Sequence, residues 1–125
     1  MSLKGKNAVT FVLTPDRPRA QTYYQDVLGL PLLREDQFAA VFDLGGGTLL
    51  RLTNIKPHTP SPHTVLGWQV SDIREAMAEL GARGVQFIEY PGMTDPDRLW
   101  TAPDGSAKVC WFNDPDGNNL SLTEG

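Results

Sequence analysis

A chain of 125 residues with 40% hydrophobic and 21% charged side chains has the make-up of one compact domain with an ordinary apolar core, and leaves no room for a second of independent size. The net charge of -4, with eleven Lys and Arg scattered among fifteen Asp and Glu, supplies no basic stripe for a phosphate backbone and excludes a nucleic-acid partner. No apolar run approaches the roughly 20 residues that cross a bilayer, the first residues lack the layout of a secretory leader, and Cys110 has no second cysteine to pair with, so a cytoplasmic protein without membrane contact is expected.

Taken in chain order, Ala8 to Leu13 is apolar and rich in β-formers, and Thr14-Pro15-Asp16 then offers helix-starting chemistry. Ala20, Tyr23, Tyr24, Val27 and Leu28 follow at helical spacing on one face, with Gly29 suited to the left-handed cap. Leu32 to Glu35, Ala39 to Leu44 and Thr48 to Thr53 read as three short strands, the last two joined by Gly45-Gly46-Gly47. The segment His58-Thr59-Pro60-Ser61-Pro62-His63 has no periodicity and predicts an extended connection.

The second half repeats the pattern. Val65 to Val70 predicts a strand, and Ser71 or Asp72 caps a helix whose Ile73, Ala76, Met77 and Leu80 share a face and which Gly81 or Gly84 ends. Strands are expected over Gln86 to Ile88, Leu99 to Ala102, Lys108 to Phe112 and Asn119 to Leu122, with Asp104-Gly105 and Asp116-Gly117 as hairpin turns. The organisation is α+β: two βαβββ modules at about 5–55 and 64–123, joined by a Pro-rich connection over 56–63, within a single domain spanning 1–125. The end segments Met1-Ser2-Leu3 and Glu124-Gly125 receive no functional role.

Two motifs carry a family resemblance: Tyr23-Tyr24 followed by Val27-Leu28-Gly29-Leu30, and Phe112-Asn113-Asp114-Pro115-Asp116-Gly117-Asn118. Together they resemble the vicinal oxygen chelate superfamily, which includes glyoxalase I, extradiol dioxygenases and bleomycin-resistance proteins. The resemblance runs from about Asn7 to Thr123 and implies curved mixed sheets around a cup-shaped cavity. It is specific for fold and weak for function, because one scaffold hosts unrelated chemistries.

In such proteins four inward-facing positions, usually His and Glu, bind one divalent metal. By the neighbouring motifs the resemblance places them on Val9, Arg51, Val65 and Ser121. None of these supplies the nitrogen, sulfur or carboxylate ligands that zinc or the harder cations require, so no metal and no cofactor is expected. His58 and His63 read as solvated linker histidines, and Cys110, between Val109 and Trp111, as a structural cysteine.

Strand alternation puts Leu49, Arg51 and Thr53 on the face that would line the cup. An unpaired buried guanidinium is costly, so Arg51 should meet either an acidic ligand or an internal carboxylate such as Glu35, Asp43 or Glu89. Trp68, Trp100 and Trp111 offer stacking surfaces, one or two of them reaching the cavity, and Tyr90 to Arg98 reads as a loop. The function expected is a metal-free binding protein that sequesters an aromatic or anionic small molecule with Arg51, the tryptophans, Ser121, Val9 and Val65, and that forms a homodimer. The alternative is an enzyme of the same family, a lyase, isomerase or dioxygenase, with an unrecognised metal or an acid/base site drawn from Glu35, Glu89 or Tyr90.

Overall fold

A computed structural model describes residues 2–125; Met1, named above with the N-terminal segment, lies outside the described residues. The chain divides between Thr59 and Pro60 into two compact units, each a module with its own sheet and helix.

Module one begins with β1 (Val9–Thr14), after which Asp16 stops the strand and starts a helix. The Asp16 side chain accepts from Arg19 N at 3.3 Å, and its own N–H donates to Thr14 Oγ1 at 3.0 Å. Helix α1 (Arg17–Thr22) then widens into a π turn over Tyr23–Val27, closed by Leu28 N–H to the Tyr23 carbonyl at 3.0 Å. The periodicity predicts a regular α-helix there. The wider turn takes up one extra residue and accompanies full burial of Tyr24, whose ring packs at 6.3 Å from Phe42. Gly29, at φ 72°, ends the helix in the left-handed region as expected.

The remaining strands of module one are β2 (Leu32–Glu35), β3 (Ala39–Gly45) and β4 (Thr48–Asn54), within a residue of the sequence expectation at each end. They form a sheet in the order β1-β4-β3-β2, with β1 parallel to β4 and the other pairs antiparallel. Val12, Thr14, Leu50, Leu52, Ala40 and Phe42 share one face and are fully buried, which makes this the helix-covered side.

Module two repeats the topology. It comprises β5 (Thr64–Gln69), α2 (Ile73–Ala82), β6 (Trp100–Thr101), β7 (Lys108–Asn113) and β8 (Asn119–Glu124), in the sheet order β5-β8-β7-β6. Of the two cap candidates, Asp72 takes the role, accepting from Glu75 N at 3.1 Å. Gly81 lies inside α2, and Gly84, at φ 94°, follows its end. Leu66, Cys110, Phe112, Leu120 and Leu122 occupy the helix-covered face with Ile73 above them. Glu124 on that face accepts the first helical N–H, that of Ile73, at 2.9 Å, so a residue assigned no role completes the capping of α2.

The strand expected over Gln86 to Ile88 is reduced to one bridge between Phe87 and Phe112, with Ile88 N–H donating to the Trp111 carbonyl at 2.8 Å. The strand expected over Leu99 to Ala102 shortens to Trp100–Thr101. Both pieces compete for the free edge of β7: β6 takes Lys108 and Val109, and the Phe87 bridge takes Phe112, so neither extends. The Asp114 hairpin is held from within. Its carboxylate, in a residue only 5% exposed, accepts from Asp116 N, Asn118 N and Asn118 Nδ2 at 2.8, 3.0 and 2.8 Å.

Candidate functional site

Each sheet has a second face that its own helix does not cover, and that face carries the positions singled out from sequence. In module one, alternation and register place Val9, Phe11 and Leu13 of β1 beside Leu49, Arg51 and Thr53 of β4, with Val41 opposite Arg51 on β3. Val9 is 42% exposed and Phe11 58%, an apolar surface in direct register with a cation.

The carboxylate that meets Arg51 is Asp36, in place of the Glu35, Asp43 or Glu89 expected from sequence. Nη2 donates to Asp36 Oδ2 at 3.2 Å, the two side chains being 27% and 42% exposed. Register explains the choice. Glu35 pairs with Ala40, which belongs to the opposite, helix-covered face, and Asp43 is spent on Gly45 N at 2.8 Å. Asp36 sits at the β2–β3 turn, where Oδ1 accepts from Phe38 N and Ala39 N at 2.8 and 2.9 Å. These backbone N–H groups, and then Arg51, hold its carboxyl below the usual value of 3.8. Its main-chain oxygen accepts from Arg17 Nη1 at 2.8 Å, so one turn anchors two arginines.

In module two the uncovered face carries Trp100, Val109, Trp111, Asn113, Asn119 and Ser121. Trp68 pairs with Leu122 and falls on the other face, with Cys110. Val65 lies at a register shift between Thr64 and Leu66, has no partner on β8, and is 36% exposed. Ser121 is buried beneath Gly67: a Cβ at that position would come within 2.6 Å of Ser121 Oγ, so the close approach requires glycine.

Tyr90 lies against the same face, its ring edge-on to Trp111 at 5.3 Å. Its hydroxyl accepts from Asn119 Nδ2 at 3.1 Å, and Asn119 Oδ1 in turn accepts from Thr64 Oγ1 at 2.8 Å. The segment from Tyr90 to Arg98 is a loop, as expected, and is internally tied: Tyr90 N–H donates to Thr94 Oγ1 at 2.9 Å, and Asp95 Oδ1 accepts from Asp97 N and Leu99 N at 2.8 and 3.0 Å. Arg98 in this loop stands at φ 69° and lies 3.8 Å from Glu89. Among the acid/base candidates, Tyr90 thus meets Asn119, Glu89 meets Arg98, and Glu35 sits on the covered side of the other module.

The side chains do not fit a divalent metal. Val9 and Arg51 lie on the uncovered face of the first sheet and Ser121 on that of the second, and none is a ligand of the kind such ions select. Among the described residues no three His, Cys, Asp or Glu side chains gather into a cluster. Cys110 is fully buried, and burial pushes its thiol up to about 11, which leaves it protonated and unreactive at neutral pH.

Phe11, Asp36, Asn119 and Thr64 were not singled out from sequence. Phe11 was within reach, being two residues from Val9 on the same strand. Asp36 and the Thr64–Asn119 pair meet their partners only through strand pairing and a turn.

The comparison with known families decides what these paired βαβββ modules are. The Glyoxalase/Bleomycin resistance protein/Dioxygenase superfamily matches residues 7–122. The chain belongs to that superfamily. A superfamily member from Sphaerobacter thermophilus DSM 20745 superposes with a TM-score of 0.76 at 22% identity, over 99% of this chain and 100% of that one. A putative glyoxalase family protein from Bacillus anthracis gives 0.75 at 16% identity, over 100% and 98% of the two chains. Lactoylglutathione lyase from Agrobacterium tumefaciens gives 0.72 at 18% identity, over 97% and 94%. At these identities the likeness is one of fold. No curated protein matches the sequence. No helix among the described residues is long and apolar enough to cross a membrane.

Proposed function

We propose that the protein is a metal-free small-molecule binding protein, similar to the bleomycin-resistance members of its superfamily, that sequesters an aromatic or anionic ligand. The observation that carries this reading is Arg51 in register with Phe11 on the uncovered face of the first sheet. The guanidinium spends one contact on a partly exposed carboxylate, and an exposed pair of this kind is weak. Its remaining N–H donors suit a carboxylate, and the adjoining Phe11 and Val9 suit the flat apolar part of the same ligand. In module two, Trp100 and Trp111 lie on the face of that module's own sheet that its helix does not cover. A cationic drug is disfavoured by the same arginine, so bleomycin itself is not the expected ligand.

Calorimetric titration with benzoate and benzylamine tests this. Benzoate is expected to bind and benzylamine not, and Arg51→Ala should weaken benzoate by about tenfold or more, the worth of a charge-assisted hydrogen bond. Unchanged affinity in that variant would remove Arg51 from the site. Metal content after incubation with Zn²⁺, Ni²⁺, Mn²⁺ and Fe²⁺ and dialysis should be negligible. About one equivalent per chain would return the metal-dependent lyase, isomerase or dioxygenase reading to first place.

A further inference from the structure

Module two holds a cleft of about 380 Å³ lined mainly by Pro60, Pro62, Ile88, Tyr90, Asn113 and Asn119, with no charged side chain in its lining. Its walls are two proline rings, an isoleucine and the Tyr90 ring. Its polarity is set by a directed run of hydrogen bonds. Thr64 donates to the side-chain oxygen of Asn119, the Asn119 amide donates to the Tyr90 oxygen, and Asn119 itself is only 3% exposed. The Tyr90 oxygen accepts from Asn119, so its own proton is left to donate to another group, and Tyr90 lines the cleft. The edge-on contact with Trp111 and the Thr94 bond to its backbone keep the ring in place.

We infer that this cleft binds a neutral aromatic carbonyl compound. The ring lies against Pro60, Pro62 and Ile88, and the carbonyl oxygen accepts from the Tyr90 hydroxyl. An uncharged lining offers nothing to offset desolvation of an ionic ligand, and the Tyr90 hydroxyl, with Ser61 and Asn113 in the same lining, selects an acceptor oxygen. This site goes beyond the Arg51 reading: it lies wholly in module two and takes a neutral compound.

The test is an NMR titration of the ¹⁵N-labelled full chain with acetophenone and with ethylbenzene, which has a similar shape and no oxygen. The signals followed are the Asn119 side-chain amide and the Trp111 indole. Acetophenone should shift both saturably and bind about tenfold more tightly than ethylbenzene, the worth of one hydrogen bond to a preset donor. Tyr90→Phe should bring acetophenone down to the ethylbenzene level. Asn119→Asp should do the same, because an acceptor-only carboxylate draws the phenol proton to itself. Where Asn119→Asp fails to fold, Tyr90→Phe alone decides, since it removes a single oxygen from a half-buried ring. Arg51→Ala should leave the acetophenone titration unchanged, so benzoate binding at Arg51 and acetophenone binding here fail independently. Absence of a saturable shift, equal affinity for the two probes, undiminished affinity in Tyr90→Phe, or a loss in Arg51→Ala would each overturn the assignment.

Discussion

Arg51 shows how far a single residue can be read before its neighbours are known. Alternation along β4 was enough to place it on the uncovered face, and the physical requirement for a carboxylate partner was met. The identity of that partner is decided by the β2–β3 turn, because the Phe38 and Ala39 N–H groups hold Asp36 where Arg51 reaches it. Cys110 is the opposite case: its apolar flanks announced burial, and the structure buries it completely. Its thiol, with a pKa raised to about 11, is almost wholly protonated at pH 8. Native protein at that pH should therefore react with Ellman's reagent only after denaturant is added; one rapidly titrated thiol per folded chain would contradict its burial.

At the scale of elements, turn and cap chemistry was the most legible part of the chain. Asp16, Gly29, Asp72 and the Asp-Gly turns act where local rules place them, since each needs only near neighbours in sequence. Asp114 goes further, because its buried carboxylate accepts the Asp116 and Asn118 backbone donors together with the Asn118 amide. Asp114→Ala should leave these buried donors unmet and cost about 3 kcal/mol in denaturant unfolding. A loss within about 0.5 kcal/mol, the range of ordinary surface substitutions, would show the turn to be self-supporting. The elements read less well were the π turn at Tyr23–Val27 and the pieces at Phe87 and Trp100. The first accompanies the packing of Tyr24 on Phe42, and the other two divide one edge of β7. Neither condition is visible in a local window.

At the scale of the whole molecule, the repeat of βαβββ in two modules has a consequence for assembly. Strand β2 lies at a sheet edge, with Leu33 51% exposed, and Phe38 in the adjoining turn is 62% exposed. Exposed apolar groups beside an unpaired strand edge favour association, so a homodimer is expected. Light scattering coupled to size exclusion should give twice the chain mass of 13.8 kDa, and Leu33→Glu combined with Phe38→Glu should shift the protein toward the monomer. A wild-type monomer at micromolar concentration would refute the dimer.

The sequence by itself determined the superfamily, the two-module plan, most strand limits and the faces on which Val9, Arg51 and Ser121 lie. All of these follow from period-two and period-3.6 patterning, from caps, and from two local motifs, which act over a few residues. Only the tertiary structure decided that Asp36 meets Arg51, that Trp68 parts company with Trp100 and Trp111, and that Thr64, Asn119 and Tyr90 form one directed run. Those choices depend on strand register and on a bulge at Val65, which couple residues as far apart as Thr64 and Asn119. Register is set by packing the whole sheet against its helix, and no short stretch of chain contains that information.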